Sequence, residues 1–357
     1  MRRLGAALCV LIALGVVAVG IVPLLPWTAA DSKQPQSTAA GGPADRSNPP
    51  TEATASPGVT EAGDRAQAES EVDHASRTGA ATDGAQAGPD LTALDLTARS
   101  ITPDPLTATS DTPDVYARKC TTSFGSAEVI RCDAGDPDGE WVVAVVGDSK
   151  VAQWADALEE IAEREGWQLR LYIRSACPWT AATVNNEGGA DTTCLDWGRR
   201  VRERLVGVER PNAVIVSGVK ARAGASTSDE GTDTLAHGYA DYWAELGELG
   251  VRVVALADTP QPGDVEVYEC VDRHREDVSA CAFPRNDGSG TEALRRAVER
   301  VPTATLVDMN DWVCPFPECP PVVDGVLTYR GGSHITSTYA VTLVDPLQAR
   351  LVSALGW

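Results

Sequence analysis

The chain has 357 residues and a formal net charge of −21. That balance argues against nucleic acid as a partner, because a phosphate backbone needs a basic face. It leaves carbohydrates and small esters open as substrates.

Residues 4–26, LGAALCVLIALGVVAVGIVPLLP, carry no charge. Such a run can span a hydrocarbon core of roughly 30 Å. Arg2 and Arg3 precede it, which puts the N-terminus in the cytoplasm and the rest outside. Residues 1–27 therefore read as a membrane anchor. The rival is a cleaved signal peptide, with small residues at Thr28-Ala29-Ala30 and a secreted product. The length of the apolar run favours the anchor.

Residues 28–99 read as a disordered acidic linker. From Thr28 to Val115 there is no Phe, Trp, Tyr or Cys, and Asp31–Val115 holds 14 acidic and 5 basic residues. Too little apolar surface is available to offset chain entropy. As a flexible coil the linker spans roughly 50 Å. Weak apolar spacing at Leu91, Leu94 and Leu96 marks where order begins.

Residues 100–357 read as one folded domain. VVAVV at 142–146 is the pattern of a strand buried on both faces. Helical spacing of Val151, Trp154, Leu158 and Ile161 follows, ended by Gly166. QLRLYIRS (168–175) reads as a strand, DWGRRVRERLVGV (196–208) as a helix and NAVIVSG (212–218) as a buried strand. Residues 239–250 read as a helix, 251–258 as a strand, 291–300 as a helix and 304–310 as a strand. The segment from about 336 to 355 reads as helical. This alternation predicts an α/β domain with a central parallel sheet flanked by helices. Ligands of such sheets bind beyond the carboxyl ends of the strands. Ser149, Ser175, Ser217 and Asp258 all sit at such ends.

Eight cysteines lie in this domain: Cys120, Cys132, Cys177, Cys194, Cys270, Cys281, Cys314 and Cys319. An even number, outside a membrane anchor, reads as disulfides in an oxidising compartment. Sequential pairing is expected, since each neighbouring pair closes a short loop. No CxxC pair occurs and only His237, His274 and His334 lie in the domain, so no metal site is expected. No cofactor motif is legible either.

Ser149 follows an apolar strand and opens a helix in Gly147-Asp148-Ser149-Lys150. It is a candidate nucleophile; the plainer reading makes Asp148 or Ser149 a helix cap. His334, in LTYRGGSHITSTYA, is the best candidate base, ahead of the loop residues His237 and His274. Lys150 could hold an anionic group, but a solvent-facing place in the first helical turn is the stronger expectation. Asp258 either shapes the site or caps the Pro turn after it. The tryptophans, including Trp154, Trp179, Trp197 and Trp312, read mainly as core residues.

GDSKVAQW and the late histidine resemble the SGNH (GDSL-like) hydrolase family. ITPDPLTATSDTPDVYARKC, GDSKVAQW, RSACPW, ALADTPQP…ECV, VDMNDWVCP…CP and YRGGSHITSTYA occur in the order of one branch. That branch is the extracytoplasmic SGNH domain of acyltransferase family 3 type proteins. The resemblance covers about residues 100–355. It implies a three-layer, flavodoxin-like sandwich with Ser149 as nucleophile, His334 as base and the Ser149 N–H in an oxyanion hole. Ser175 and Ser217-Gly218 stand where the family presents further loop donors. The implied chemistry is ester hydrolysis or O-acyl transfer on a cell-envelope glycan.

Two departures stand out. The family usually places Asp three residues before the histidine, where this chain has Gly331. Replacing the acid of a serine-protease triad by an amide costs roughly 10⁴-fold in rate. Three readings are open: Asp308 or Asp311 reaches the histidine, a backbone carbonyl orients it, or the domain binds glycan without turnover. The second departure is the single candidate span, where fused family members carry many. A separate membrane acyltransferase would then supply the acyl group, or the domain would act as a hydrolase or an inactive accessory module.

Overall fold

The computed structural model describes residues 100–186, 189–219 and 229–357, with 222–223 as backbone only. The expected anchor at 1–27, the linker at 28–99 and the leucines at 91–96 lie outside these residues. Among the described residues, no helix is long and apolar enough to cross a membrane.

The five expected strands lie side by side in one sheet. Its strands are β1 (Thr121–Thr122), β2 (Cys132–Gly135), β3 (Trp141–Gly147), β4 (Trp167–Arg174), β5 (Ala213–Ser217), β6 (Arg252–Leu256) and β7 (Ala304–Val307). They lie in the order β1-β4-β3-β5-β6-β7, with β2 also bonded to β4. All pairings are parallel except β2 with β4. The sequence reading missed β1 and β2. Both are short and polar, and they add only to the outer edge of β4.

Side-chain alternation divides the core in two. Val143, Val145, Leu169, Leu171 and Ile215 belong to one apolar cluster. Ala144, Val146, Tyr172, Val214 and Val216 belong to the other. Burial on both faces explains the uninterrupted apolar strands. The helices that cover the sheet or carry the site are α1 (Ser149–Ala152), α2 (Ala155–Glu165), α3 (Thr192–Val206), α4 (Asp229–Glu248), α5 (Thr291–Val298), α6 (Ser337–Thr342) and α7 (Val344–Leu355). Leu158 and Ile161 of α2 and Leu347 and Leu351 of α7 cover the first face. Trp197 of α3, Trp243 of α4 and Leu294 of α5 cover the second.

Several helix boundaries differ from expectation, among them α3, which runs Thr192–Val206 where 196–208 was expected. The helix after β3 breaks between α1 and α2 at Gln153-Trp154. The C-terminal helix breaks at Leu343. Helix α4 starts at Asp229, before the expected 239, because Gly231, Thr232, Leu235 and Ala236 are buried there. Packing overrides the poor helix propensity of Gly and Thr in that stretch. Gly166 ends α2 as expected, in the left-handed conformation.

The cysteines pair sequentially: Cys120–Cys132, Cys177–Cys194, Cys270–Cys281 and Cys314–Cys319. Four disulfides suit an oxidising, extracytoplasmic compartment.

Candidate active site

The site begins where β3 stops. Gly147 has φ +148°, and a Cβ there would lie 2.4 Å from the Ser217 carbonyl oxygen of neighbouring β5. Only glycine lets the strands close so tightly at this turn. Asp148 then caps α1, its carboxylate accepting the Lys150 N–H at 2.8 Å. Its other oxygen accepts the Val219 N–H at 3.0 Å, tying the loop after β5 to the cap. The cap is therefore Asp148, and Ser149 is left free of that duty at the carboxyl end of β3.

His334 lies on a two-stranded hairpin, Tyr329–Gly331 against His334–Ile335. Its Nε2 is 2.8 Å from Ser149 Oγ. The ring also hydrogen-bonds the Gly331 backbone. With Nε2 facing the serine, Nδ1 is the nitrogen left to donate to that carbonyl. In that tautomer Nε2 can accept the serine proton. Burial pushes the imidazole down to about 4, and the Lys150 and Arg330 charges act in the same sense. The Gly331 carbonyl opposes them. The histidine is thus a neutral acceptor at neutral pH.

Lys150 does not face solvent. It is 1% exposed. Its Nζ pairs with Asp258 Oδ1 at 2.9 Å and donates to the Ser333 carbonyl at 2.6 Å. A longer contact of 3.4 Å reaches Thr259 Oγ1. Asp258 is equally buried, and its other oxygen accepts from Gln261 Nε2 and the Gly290 N–H, both at 3.0 Å. Gln153, also buried, accepts the Ile335 N–H at 3.2 Å. One turn of chain from Ser149 to Gln153 thus presents the serine and grips both sides of His334. Burial raises the Asp148 carboxyl to about 6, the Asp258 charge adds to this, and the two N–H bonds oppose it.

The other sequence candidates are placed as follows. Ser217 pairs in register with Gly147, beside the strand end that leads to Ser149. Its hydroxyl is buried with no partner among the described residues. Gly218 follows it at the mouth of β5. The Ser175 N–H is already bonded to the Thr122 carbonyl at 3.0 Å, so it is not an available oxyanion donor. Asp308 accepts the Asn310 N–H at 2.8 Å, and exposed Asp311 pairs with Arg285 at 2.6 Å. Neither carboxylate meets His334; local turns hold both elsewhere. His237 bonds the Asp233 carbonyl within α4. His274 lies beside Cys270 and Cys281, whose thiols are consumed in a disulfide.

Sequence reasoning missed Gln153, Thr259 and Ser333. Gln153 carried a usable signal, since residues four apart on a helix share a face. Ser333 acts through its backbone and carried none.

The model of the family described as the SGNH domain (fused to AT3 domains) matches residues 119–349, and the chain belongs to that family. No curated protein matches the sequence. Among solved structures, the periplasmic domain of a lipopolysaccharide acetyltransferase from Salmonella ser. Paratyphi A is similar at 11% identity and TM-score 0.49. That match covers 70% of this chain and 99% of the other. A crystal structure described as that of an acylhydrolase from Bacteroides fragilis is similar at 14% identity and TM-score 0.32, covering 62% and 89%. An active-site mutant of a family two carbohydrate esterase from Clostridium thermocellum is similar at 14% identity and TM-score 0.35, covering 62% and 66%.

Proposed function

We propose that this is an extracytoplasmic serine esterase or O-acyltransferase acting on cell-envelope glycan, with Ser149 as nucleophile and His334 as base. The observation that carries the reading is the 2.8 Å contact from His334 Nε2 to Ser149 Oγ, which is nucleophile-to-base distance. His334 Nε2 takes the hydroxyl proton while Ser149 Oγ attacks the acyl carbonyl. The tetrahedral intermediate collapses, the alcohol leaves with the proton from His334, and an acyl-serine remains. Water or a sugar hydroxyl, deprotonated by the same imidazole, then releases the acyl group. The Ser149 N–H serves the oxyanion hole.

Gly331 in place of an acid makes this a dyad. Its carbonyl orients the ring but brings no negative charge to stabilise the imidazolium. That feature favours a second reading, a catalytically inactive glycan-binding or accessory module of a separate membrane acyltransferase. A membrane anchor at residues 1–27 belongs to either reading.

The test follows acetyl-ester hydrolysis by the purified, oxidised protein, with labelling by a serine-directed phosphonate. Turnover or labelling lost in both Ser149→Ala and His334→Ala supports the enzyme. A folded wild type no better than those variants, alone and with a membrane acyltransferase, supports the inactive module.

A further inference from the structure

A cavity of about 480 Å³ opens at the other end of the sheet from Ser149. Trp141 starts β3, Asn212 precedes β5 and Arg252 starts β6, so the cavity lies at the amino ends of the parallel strands. Ser149 lies beyond the carboxyl end of β3. The seven residues of β3 put the two places roughly 20 Å apart at a strand's rise per residue.

The lining is specific in chemistry. Trp141 and Trp357 stack with ring centroids 4.3 Å apart, and Trp141 remains 40% exposed. Arg210 and Arg252 border the same cavity. Both are exposed, and neither guanidinium has a hydrogen bond or ion pair among the described residues. Every other arginine whose side chain is described, apart from half-buried Arg330, holds a carboxylate or a backbone carbonyl. In a chain of net charge −21, carboxylate partners are abundant. A lone solvated arginine needs no explanation. Two uncommitted ones flanking one cavity beside an exposed indole form a set.

The geometry points to a binding site for an anionic saccharide unit, one carrying a carboxylate or phosphate. The C–H face of a pyranose packs on an exposed indole, an amphipathic surface suited to a half-wet ligand. The guanidinium fork matches carboxylate and phosphate oxygens. Asn212 Oδ1 accepts the Val142 N–H at 2.8 Å, which leaves its amide N–H groups for a sugar hydroxyl. The volume falls within the range of small-molecule pockets, about 300–1,000 Å³. This assignment does not depend on Ser149 being catalytic.

Calorimetric titration of the full chain tests it, with glucuronic acid and glucose 6-phosphate as probes and glucose and inorganic phosphate as controls. Saturable binding of the two sugar anions is expected, at least tenfold tighter than either control. The double variant Arg210→Gln/Arg252→Gln should lose it at least tenfold with an unchanged melting temperature. Ser149→Ala should retain it, which separates this site from the catalytic one. Absence of binding to the wild type would overturn the proposal. So would binding that the double variant leaves intact, or inorganic phosphate binding as tightly as the sugar anions. Were the double variant to unfold, the comparison of glucuronic acid with glucose on the wild type would still decide it.

Discussion

Lys150 and Asp258 form an ion pair of 2.9 Å with both side chains removed from solvent. The pair joins α1 to the loop after β6, and Lys150 also holds the Ser333 carbonyl next to His334. Removing one partner of a buried pair strands the other charge, at about 3–5 kcal/mol. Lys150→Met should therefore lose about that much stability in urea unfolding. Lys150→Met/Asp258→Asn should recover part of it, because the stranded carboxylate is gone. A purely additive double-mutant cycle would refute the coupling.

Burial and, after it, the charge of the same lysine lower the basicity of His334. The ring is pushed down to about 4, and catalysis needs it neutral. Activity should be present above that pH and lost below it, so the acid limb of kcat/KM should lie near pH 4 to 5. Lys150→Met removes a positive charge that lowers the ring, so its acid limb should move up. A wild-type limb at the ordinary histidine value of about 6.5 would contradict this account.

Two buried groups pull pH stability in opposite directions. His334 is depressed from 6.5 to about 4 on folding, so its contribution is present above 6.5 and lost as pH falls toward 4. Asp148 is raised from 3.8 to about 6, so its contribution is present below 3.8 and lost as pH rises through 6. In His334→Gln only the aspartate trend remains of the two. Relative to wild type, that variant should gain stability as pH falls from 6.5 to 4. Thermal melts at pH 4.5 and 7 check it, and parallel pH trends in the two proteins would count against it.

The disulfides should differ in worth according to the loop each closes. Cys177–Cys194 spans 17 residues and Cys314–Cys319 spans 5. Chain entropy assigns about 3 kcal/mol to the first and about 2 kcal/mol to the second. Paired Cys→Ala substitutions should reproduce that order in urea unfolding. The reverse order of stability would show that packing, not loop closure, sets their value.

The sheet was legible because burial on both faces writes itself as runs such as Val142–Val146. Ser149 and His334 were legible as candidates because each sits in a short polar turn against apolar neighbours. Lys150 was misjudged because a lysine in a first helical turn normally reaches water. Its burial depends on Asp258 and the Ser333 carbonyl, which arrive from distant parts of the chain. The sequence left three readings open at His334, an orienting backbone carbonyl among them, and could not choose, because a backbone carbonyl leaves no mark on residue identity.

Gly331 is where the catalytic reading can be pressed hardest. A Cβ built there meets nothing within 4 Å, and Gly331 is not among the residues with positive φ. The fold therefore has room for a side chain three residues before His334. Gly331→Asp would bring a carboxylate beside the imidazole. Its charge should raise the ring from about 4 toward neutrality and stabilise the imidazolium that forms as Ser149 attacks. Ester hydrolysis should rise at least tenfold, with the acid limb displaced upward, against a ceiling of roughly 10⁴-fold set by acid removal in a triad. The gain should vanish in Gly331→Asp/Ser149→Ala, and Gly331→Asn should give little of it, since an amide supplies no charge. A folded Gly331→Asp protein with the wild-type rate and pH profile would mean that proton transfer at His334 does not limit this site.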